Sequence, residues 1–189
     1  MKFNSIFYLF ITAVFFSGCG LFENKNTSAD TSETDNDSAI TLSYTVDSDD
    51  ERFSIQFPGA PDYTSEPVET ESGILENNMY IYEHNISLAY MLAYTDYSTE
   101  EINSFDPNEL LNNAMNGFTG EVGLTVDNTT KISLKKYPGI EFIASGEGYW
   151  AHMRDYLVEN RLYQIGLLST DGNVKEADAN AFFNSFVLK

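Results

Sequence analysis

The chain has 189 residues, a formal net charge of −19 and 14% aromatic residues, with 14 Phe and 12 Tyr against the single Trp150. That length accommodates one domain of ordinary size, and the aromatic content excludes a wholly disordered polymer. A surface this acidic repels phosphate backbones and the sequence carries no basic stripe to offset it, so nucleic-acid binding is not expected.

In chain order, Lys2 precedes an apolar run from Ile6 to Phe16. The run falls short of the roughly 20 apolar residues that span a bilayer and has the length of a signal-peptide core. It ends in Phe16-Ser17-Gly18-Cys19, which resembles the lipobox of bacterial lipoproteins. There, small residues let the peptide enter a narrow active site, and the Cys thiolate is the nucleophile that takes up diacylglycerol. Phe16 stands where that motif usually has Leu. The resemblance implies cleavage between Gly18 and Cys19 and a lipidated Cys19 carrying acyl chains such as palmitate. Two or three chains anchor a protein stably, whereas one binds reversibly. Loss of residues 1–18 removes Lys2 as their one charged side chain, which takes the net charge from −19 to −20. Cys19 is the only Cys, so its lipidation would leave the mature domain without disulfides or zinc–thiolate sites. Gly20 after Cys19 resembles outer-membrane sorting, with the domain facing either the periplasm or the outside.

Residues 19–51 read as the lipidated Cys followed by an acidic linker. Runs such as Thr27-Ser28-Ala29-Asp30-Thr31-Ser32-Glu33 have too little apolar surface to offset the entropy of ordering them. Asp47-Ser48-Asp49-Asp50-Glu51 lacks the Gly and the spaced final Glu of an EF-hand loop, so it is read as solvated linker. Thr41 to Val46 alternates and can add an early strand.

Residues 52–189 read as a single domain. Phe53-Ser54-Ile55-Gln56-Phe57 alternates with period two and stops at Pro58-Gly59-Ala60-Pro61. Met79 to Glu83 and Ile86 to Thr95 form an expected hairpin turning at His84-Asn85. Asp106-Pro107-Asn108-Glu109 opens a helix, because Asp caps, Pro suits the first helical position and Glu sits three residues after the cap. Leu110, Leu111, Ala114, Met115 and Phe118 give that helix its apolar stripe, and Gly117 with Gly120 are expected to help end it. Strands follow at Lys131 to Leu134, Ile140 to Ser145, Tyr149 to Val158 and Arg161 to Ser169, with a tight turn at Glu159-Asn160. Asn173-Val174-Lys175-Glu176 repeats the cap pattern and opens a last helix through Ala177, Ala181 and Phe182. Hairpin-joined strands with one helix in the middle and one at the end predict an α+β fold. Its antiparallel β-sheet has about six to seven strands with helices packed on it.

Five segments together resemble bacterial members of the Mog1/PsbP-like superfamily over about residues 52 to 188. They are Phe53 to Pro61, the middle helix, Tyr137-Pro138-Gly139-Ile140-Glu141, Asn160-Arg161-Leu162-Tyr163-Gln164 and Ala181-Phe182-Phe183-Asn184-Ser185-Phe186. The resemblance implies an α/β/α sandwich and an accessory or binding role. It transfers no functional residue, since the shared segments are structural punctuation.

The chain has two His residues. His84 falls at the expected turn, and His152 shares an alternating register with Trp150 and Arg154. No nucleophile elbow, phosphate loop or dinucleotide fingerprint occurs. Catalytic residues, metal ligands and cofactors are therefore not expected. Tyr80 and Tyr82 share one strand face, as do Tyr90 and Tyr94. Such a cluster is either the sheet face beneath a helix or, if uncovered, a surface for a hydrophobic or glycan ligand. Weak ligand-binding candidates are thus Tyr80, Tyr82, Tyr90, Tyr94, Trp150, His152 and Arg154. Phe53 to Thr130 contains thirteen Asp or Glu and no Lys or Arg, which makes a solvated surface or a docking face for a cationic partner or divalent cations.

The resulting expectation is a lipid-anchored, non-enzymatic module that binds or supports another envelope protein. Its rivals are a small-ligand carrier or hydrolase with a cleft near His152, and a divalent-cation module acting through the acidic half.

Overall fold

The computed structural model describes residues 40–70 and 73–189. Cys19, the cleavage site and the signal segment lie outside the described residues. In chain order the elements are β1 (Tyr44–Ser48), β2 (Phe53–Phe57), β3 (Asp62–Thr70), β4 (Gly73–Asn85) and β5 (Leu88–Asp96). Two helices follow, α1 (Thr99–Ser104) and α2 (Pro107–Val122), and then β6 (Thr125–Leu134), β7 (Tyr137–Gly146), β8 (Tyr149–Val158) and β9 (Arg161–Ser169). The chain closes with α3 (Glu176–Asn184) and β10 (Val187–Leu188).

This is a sheet-rich α+β fold. A seven-stranded sheet runs in the order β3-β4-β5-β9-β8-β7-β6, and every neighbouring pair is antiparallel. A second, three-stranded sheet has the order β1-β2-β10. Period-two alternation sends the two side-chain sets of the large sheet to opposite faces, and each face has its own core. On one face, Met91, Ala93, Phe142, Ala151, Met153 and Leu162 pack beneath α2 residues Leu110, Leu111, Ala114, Met115 and Phe118. On the other, Tyr90, Leu92, Tyr94, Tyr163, Ile165 and Leu167 pack beneath Phe53, Ile55 and Phe57 of β2 and Phe182 and Phe183 of α3. The small sheet and α3 together form the cover that a sandwich would give to a second helical layer.

Helix α2 begins as its local chemistry dictates. The Asp106 carboxylate accepts from the backbone N–H groups of Asn108 and Glu109, with Pro107 in the first turn. Those bonds, with the Asn108 side chain, hold the Asp106 carboxyl below the usual range. The helix runs through Gly117 and Gly120 and ends at Gly123, which takes the left-handed conformation at φ 76°. The apolar stripe already anchored to the sheet carries the helix past two exchangeable glycines, and only the left-handed cap position requires one.

Several boundaries move. Strand β1 lies inside the stretch 19–51 read as linker, paired along its whole length with β2, and the Ile40 backbone N–H donates to Asp178 Oδ1 at 2.9 Å. The ordered fold therefore includes residues ahead of Arg52. The β4–β5 turn sits at Ile86-Ser87 rather than His84-Asn85, because the Asn85 carboxamide accepts from both the backbone N–H and the hydroxyl of Ser87. His84 falls at the register irregularity between Glu83 and Asn85. Asn173 does not cap α3, which starts after Lys175 with no side-chain cap bond. Helix α1 went unread although Ser98 and Glu101 form a reciprocal capping box, Glu101 N–H to Ser98 Oγ and Ser98 N–H to Glu101 Oε2.

Candidate functional site

The four tyrosines resolve first. Tyr90 and Tyr94 are buried and Tyr80 and Tyr82 are half-buried, all packed into the core beneath β2 and α3. Phe53 meets Tyr80, Tyr94, Tyr163 and Phe186 with ring centroids 6.0 Å apart in each case. Tyr80 and Tyr94 both donate their hydroxyls to the Glu51 carboxylate, at 2.8 Å for the shorter contact of each, and Tyr163 donates to the Glu51 backbone carbonyl at 3.0 Å. Burial, and then the bond to the Glu51 carboxylate, push both phenols well above their ordinary range, so they remain neutral donors. The cluster that an uncovered sheet would have offered to a ligand is thus the inner face of the fold. Glu51, assigned to the linker from sequence, is the acceptor that ties the small sheet to it.

Trp150, His152 and Arg154 have a different setting. They lie on the same face as the tyrosines but toward the β6 end of the sheet. There they line a cleft of about 630 Å³ together with β6, β7, the segment before α3, and α3 itself. Strand register assembles its floor. Thr130 pairs with Glu141 and Glu141 with Arg154, while Asn128 pairs with Ile143 and Ile143 with His152. A third row pairs Ser145 with Trp150. Each row projects side chains on one face, so three strands supply a polar patch that no single strand encodes.

At the centre sits Glu141, whose Oε1 accepts from His152 Nε2 and from Arg154 Nε, each at 2.8 Å. A carboxylate only accepts, so His152 carries its proton on Nε2 in this arrangement. The three side chains are 23%, 12% and 18% exposed for Glu141, His152 and Arg154. Burial would raise the Glu141 carboxyl, but bonds from Arg154 and His152 outweigh it and hold the group below the usual carboxylate range. Arg154 also reaches Asn180 Oδ1 of α3 at 3.3 Å and lies 4.5 Å from the Phe183 ring centroid. His152 meets the same ring at 4.7 Å, edge to face. Phe183 thus acts as the apolar wall that packs against both side chains from behind.

His84, by contrast, packs against Tyr82 and Tyr90 on the β4–β5 hairpin, away from this group. Among the described residues, no three His, Cys, Asp or Glu side chains are grouped so as to hold a metal ion. No helix among them is long and apolar enough to cross a membrane. Sequence reasoning found the β8 members of the cleft through their alternation and missed Glu141, Asn128 and Asn180. Glu141 stands alone among apolar neighbours in Ile140 to Ser145, a signal that marks an outward polar position without naming its partners.

The fold and the cleft define a two-sided antiparallel α+β domain with α2 packed on one face of the large sheet and the small sheet with α3 on the other. No protein-family model matches the chain, and no curated protein matches it in sequence.

Proposed function

We propose that the protein is a lipid-anchored binding module of the bacterial cell envelope, with no catalytic step of its own, and that the cleft beside α3 is its binding site. The observation that carries this reading is the pre-assembled Glu141–His152–Arg154 group. Its charges are already mutually paired and wedged by Phe183, an arrangement suited to holding a ligand's polar groups in fixed positions. The Phe16 to Cys19 motif supports the anchor, with the domain at the outer membrane facing the periplasm or the outside. A seven-stranded antiparallel sheet with helices is compatible with the Mog1/PsbP-like resemblance and with the accessory roles that it implies.

The test is site-specific photo-crosslinking in cells on the full lipoprotein. A photoreactive residue replacing Thr130 at the cleft should give a discrete adduct, and one replacing Ile86 at the β4–β5 turn should not. Equal yields from both, or none from Thr130, would overturn the reading. Separately, Cys19→Ala should abolish fatty-acid labelling and release the protein from membranes.

A hydrolase is the second reading, favoured by the carboxylate–imidazole pairing of Glu141 and His152, which is how an enzyme orients a general base. It requires a hydroxyl nucleophile, for which Ser145 is the cleft's candidate. Against it, Arg154 shares the same carboxylate oxygen and draws its charge away from the imidazole. Labelling of the wild type, but not of Ser145→Ala, by a fluorophosphonate would replace the binding reading with this one.

A further inference from the structure

The charge layout of the cleft narrows what it takes. Its lining carries three carboxylates, Asp127, Glu141 and Glu176, and one guanidinium, Arg154, with His152 beside it. Glu141 at the floor is occupied by Arg154 and His152, whereas Asp127 on β6 and Glu176 at the start of α3 line the cleft from two different elements. An anion entering would pass those two carboxylates and reach a guanidinium already paired. A cation would meet Asp127 and Glu176 but find Glu141 at the floor taken, with a guanidinium next to it. A neutral ligand meets neither penalty.

The remaining lining is a set of neutral hydrogen-bonding groups. The side chains of Asn128, Thr130, Ser145 and Asn173 make no hydrogen bonds to other described residues, and Asn180 engages only its carbonyl oxygen, leaving its amide N–H groups. They present amide donors, amide acceptors and hydroxyls that do both, from β6, β7, the segment before α3 and α3 itself. Trp150, at the end of the floor, adds an indole edge. Paired charges below and amides with hydroxyls around them match a ligand that carries many hydroxyl groups and no net charge. From this geometry we infer that the cleft binds a neutral, hydroxyl-rich sugar unit, either free or as part of a glycan chain. This rests on the reading of the cleft as the binding site. The volume of about 630 Å³ lies within the roughly 300–1,000 Å³ usual for small-molecule sites.

The protein supplies its own reporter, because Trp150 is the only Trp in the chain and lines the cleft. Full-length lipoprotein in detergent micelles is titrated with glucose, N-acetylglucosamine, maltotriose, cellotriose and chitotriose, and with spermidine and citrate as charged counterparts. Trp150 emission is followed, with calorimetry in parallel to register binding that leaves emission unchanged. At least one neutral sugar should bind saturably, and Asn128→Ala and Asn173→Ala should each weaken it about tenfold, as loss of one directed hydrogen bond does. Both positions are polar and outside the two cores, so these variants should melt as the wild type does. Binding of a trisaccharide without its monosaccharide assigns the site to a glycan chain, and equal binding of both assigns it to free sugar; either supports the inference. Binding of spermidine or citrate with every sugar silent overturns it, as does silence throughout. Either result alongside a Thr130 adduct would refute the sugar and leave the binding module standing, whereas silence with no adduct would remove both.

Discussion

The two faces of the large sheet are covered in different ways, and the difference decides where a ligand can go. Beneath α2 the packing is mainly aliphatic, with Met91, Met153, Leu110, Leu111 and Leu162 meeting Phe118 and Phe142 under a single helix of 16 residues. The opposite face is aromatic, with Phe53, Phe57, Tyr90, Tyr94, Tyr163, Phe182 and Phe186 packed together, and its cover is assembled from three short strands and a nine-residue helix. Helix α2 lies on β6, β7 and β8, and Tyr97, Ile102 and Phe105 of the α1 segment pack on the same core. The composite cover reaches Ile132 and Leu134 at one end of β6 but leaves Asp127, Asn128 and Thr130, with polar residues of β7 and β8, lining a cleft. The cleft thus lies on the face whose cover is assembled from short pieces, where packing leaves volume beside α3.

Each face also holds a buried polar atom without a partner among the described residues, the Tyr90 hydroxyl beneath the small sheet and Asp155 Oδ1 beneath α2. On the small-sheet face, the Glu51 carboxylate is satisfied by two tyrosine hydroxyls. On the α2 face, Asp155 is 0% exposed, receives one bond from Gln164 Nε2 at 3.2 Å, and leaves Oδ1 without a partner. Burial pushes the Asp155 carboxyl up to about 8, far above its ordinary value, with the Gln164 bond opposing the shift only in part. Asp155 is therefore neutral at the pH where Glu141, on the other face of the same sheet, is ionised.

The largest expected effect is on the aromatic face. Phe53→Ala removes a fully buried ring that meets four others and should cost about 3–5 kcal/mol in urea unfolding. A loss below about 1 kcal/mol would show that this cover is not an integral core. Next is Asp155→Asn. Below the unfolded carboxyl value both states hold the proton. Between that value and about 8 the unfolded chain releases it while the native state keeps it, so wild-type stability falls as pH rises. The variant should abolish that fall, gaining on the order of 3–4 kcal/mol over the wild type between pH 4 and pH 7. Parallel pH profiles of the two proteins would deny the buried neutral acid. Glu51→Ala strands the buried Tyr94 hydroxyl and should cost about 1–3 kcal/mol by thermal or urea denaturation. Smallest is Ser98→Ala, which removes the α1 capping box and should cost about 1 kcal/mol, read as faster amide exchange in residues 99–104. Unchanged exchange there would show that tertiary contacts alone hold α1.

Legibility followed how local each signal was. The strands Tyr149–Val158 and Arg161–Ser169 and the start of α2 at Asp106-Pro107 stand where the sequence places them, because alternation and capping act within a few residues. Strand β3 was not readable. Its sequence Asp62–Thr70 is polar and contains Pro67, as suits an edge strand with one unpaired side. Strand β1 shows in the sequence as the alternation of Thr41 to Val46, although it runs on into the acidic stretch to Ser48 and has β2 as its strand partner. In the site, alternation put Trp150, His152 and Arg154 on one face, but could not say whether that face was covered.

What the sequence determines by itself is therefore periodicity and punctuation: which residues alternate, where helices can be capped, and that an α+β antiparallel sheet should result. What only the tertiary structure decided is which alternate sets are sealed and which are open. The tyrosines of β4 and β5 and the polar residues of β8 have the same period and lie on the same sheet face. They part company because β2 and Phe182 of α3 pack on the tyrosines, whereas His152 and Arg154 meet only Phe183 and Asn180 of α3 beside the cleft. Glu141 joins His152 and Arg154 only through the β7–β8 register, a pairing energy spread across two strands and carried by neither alone.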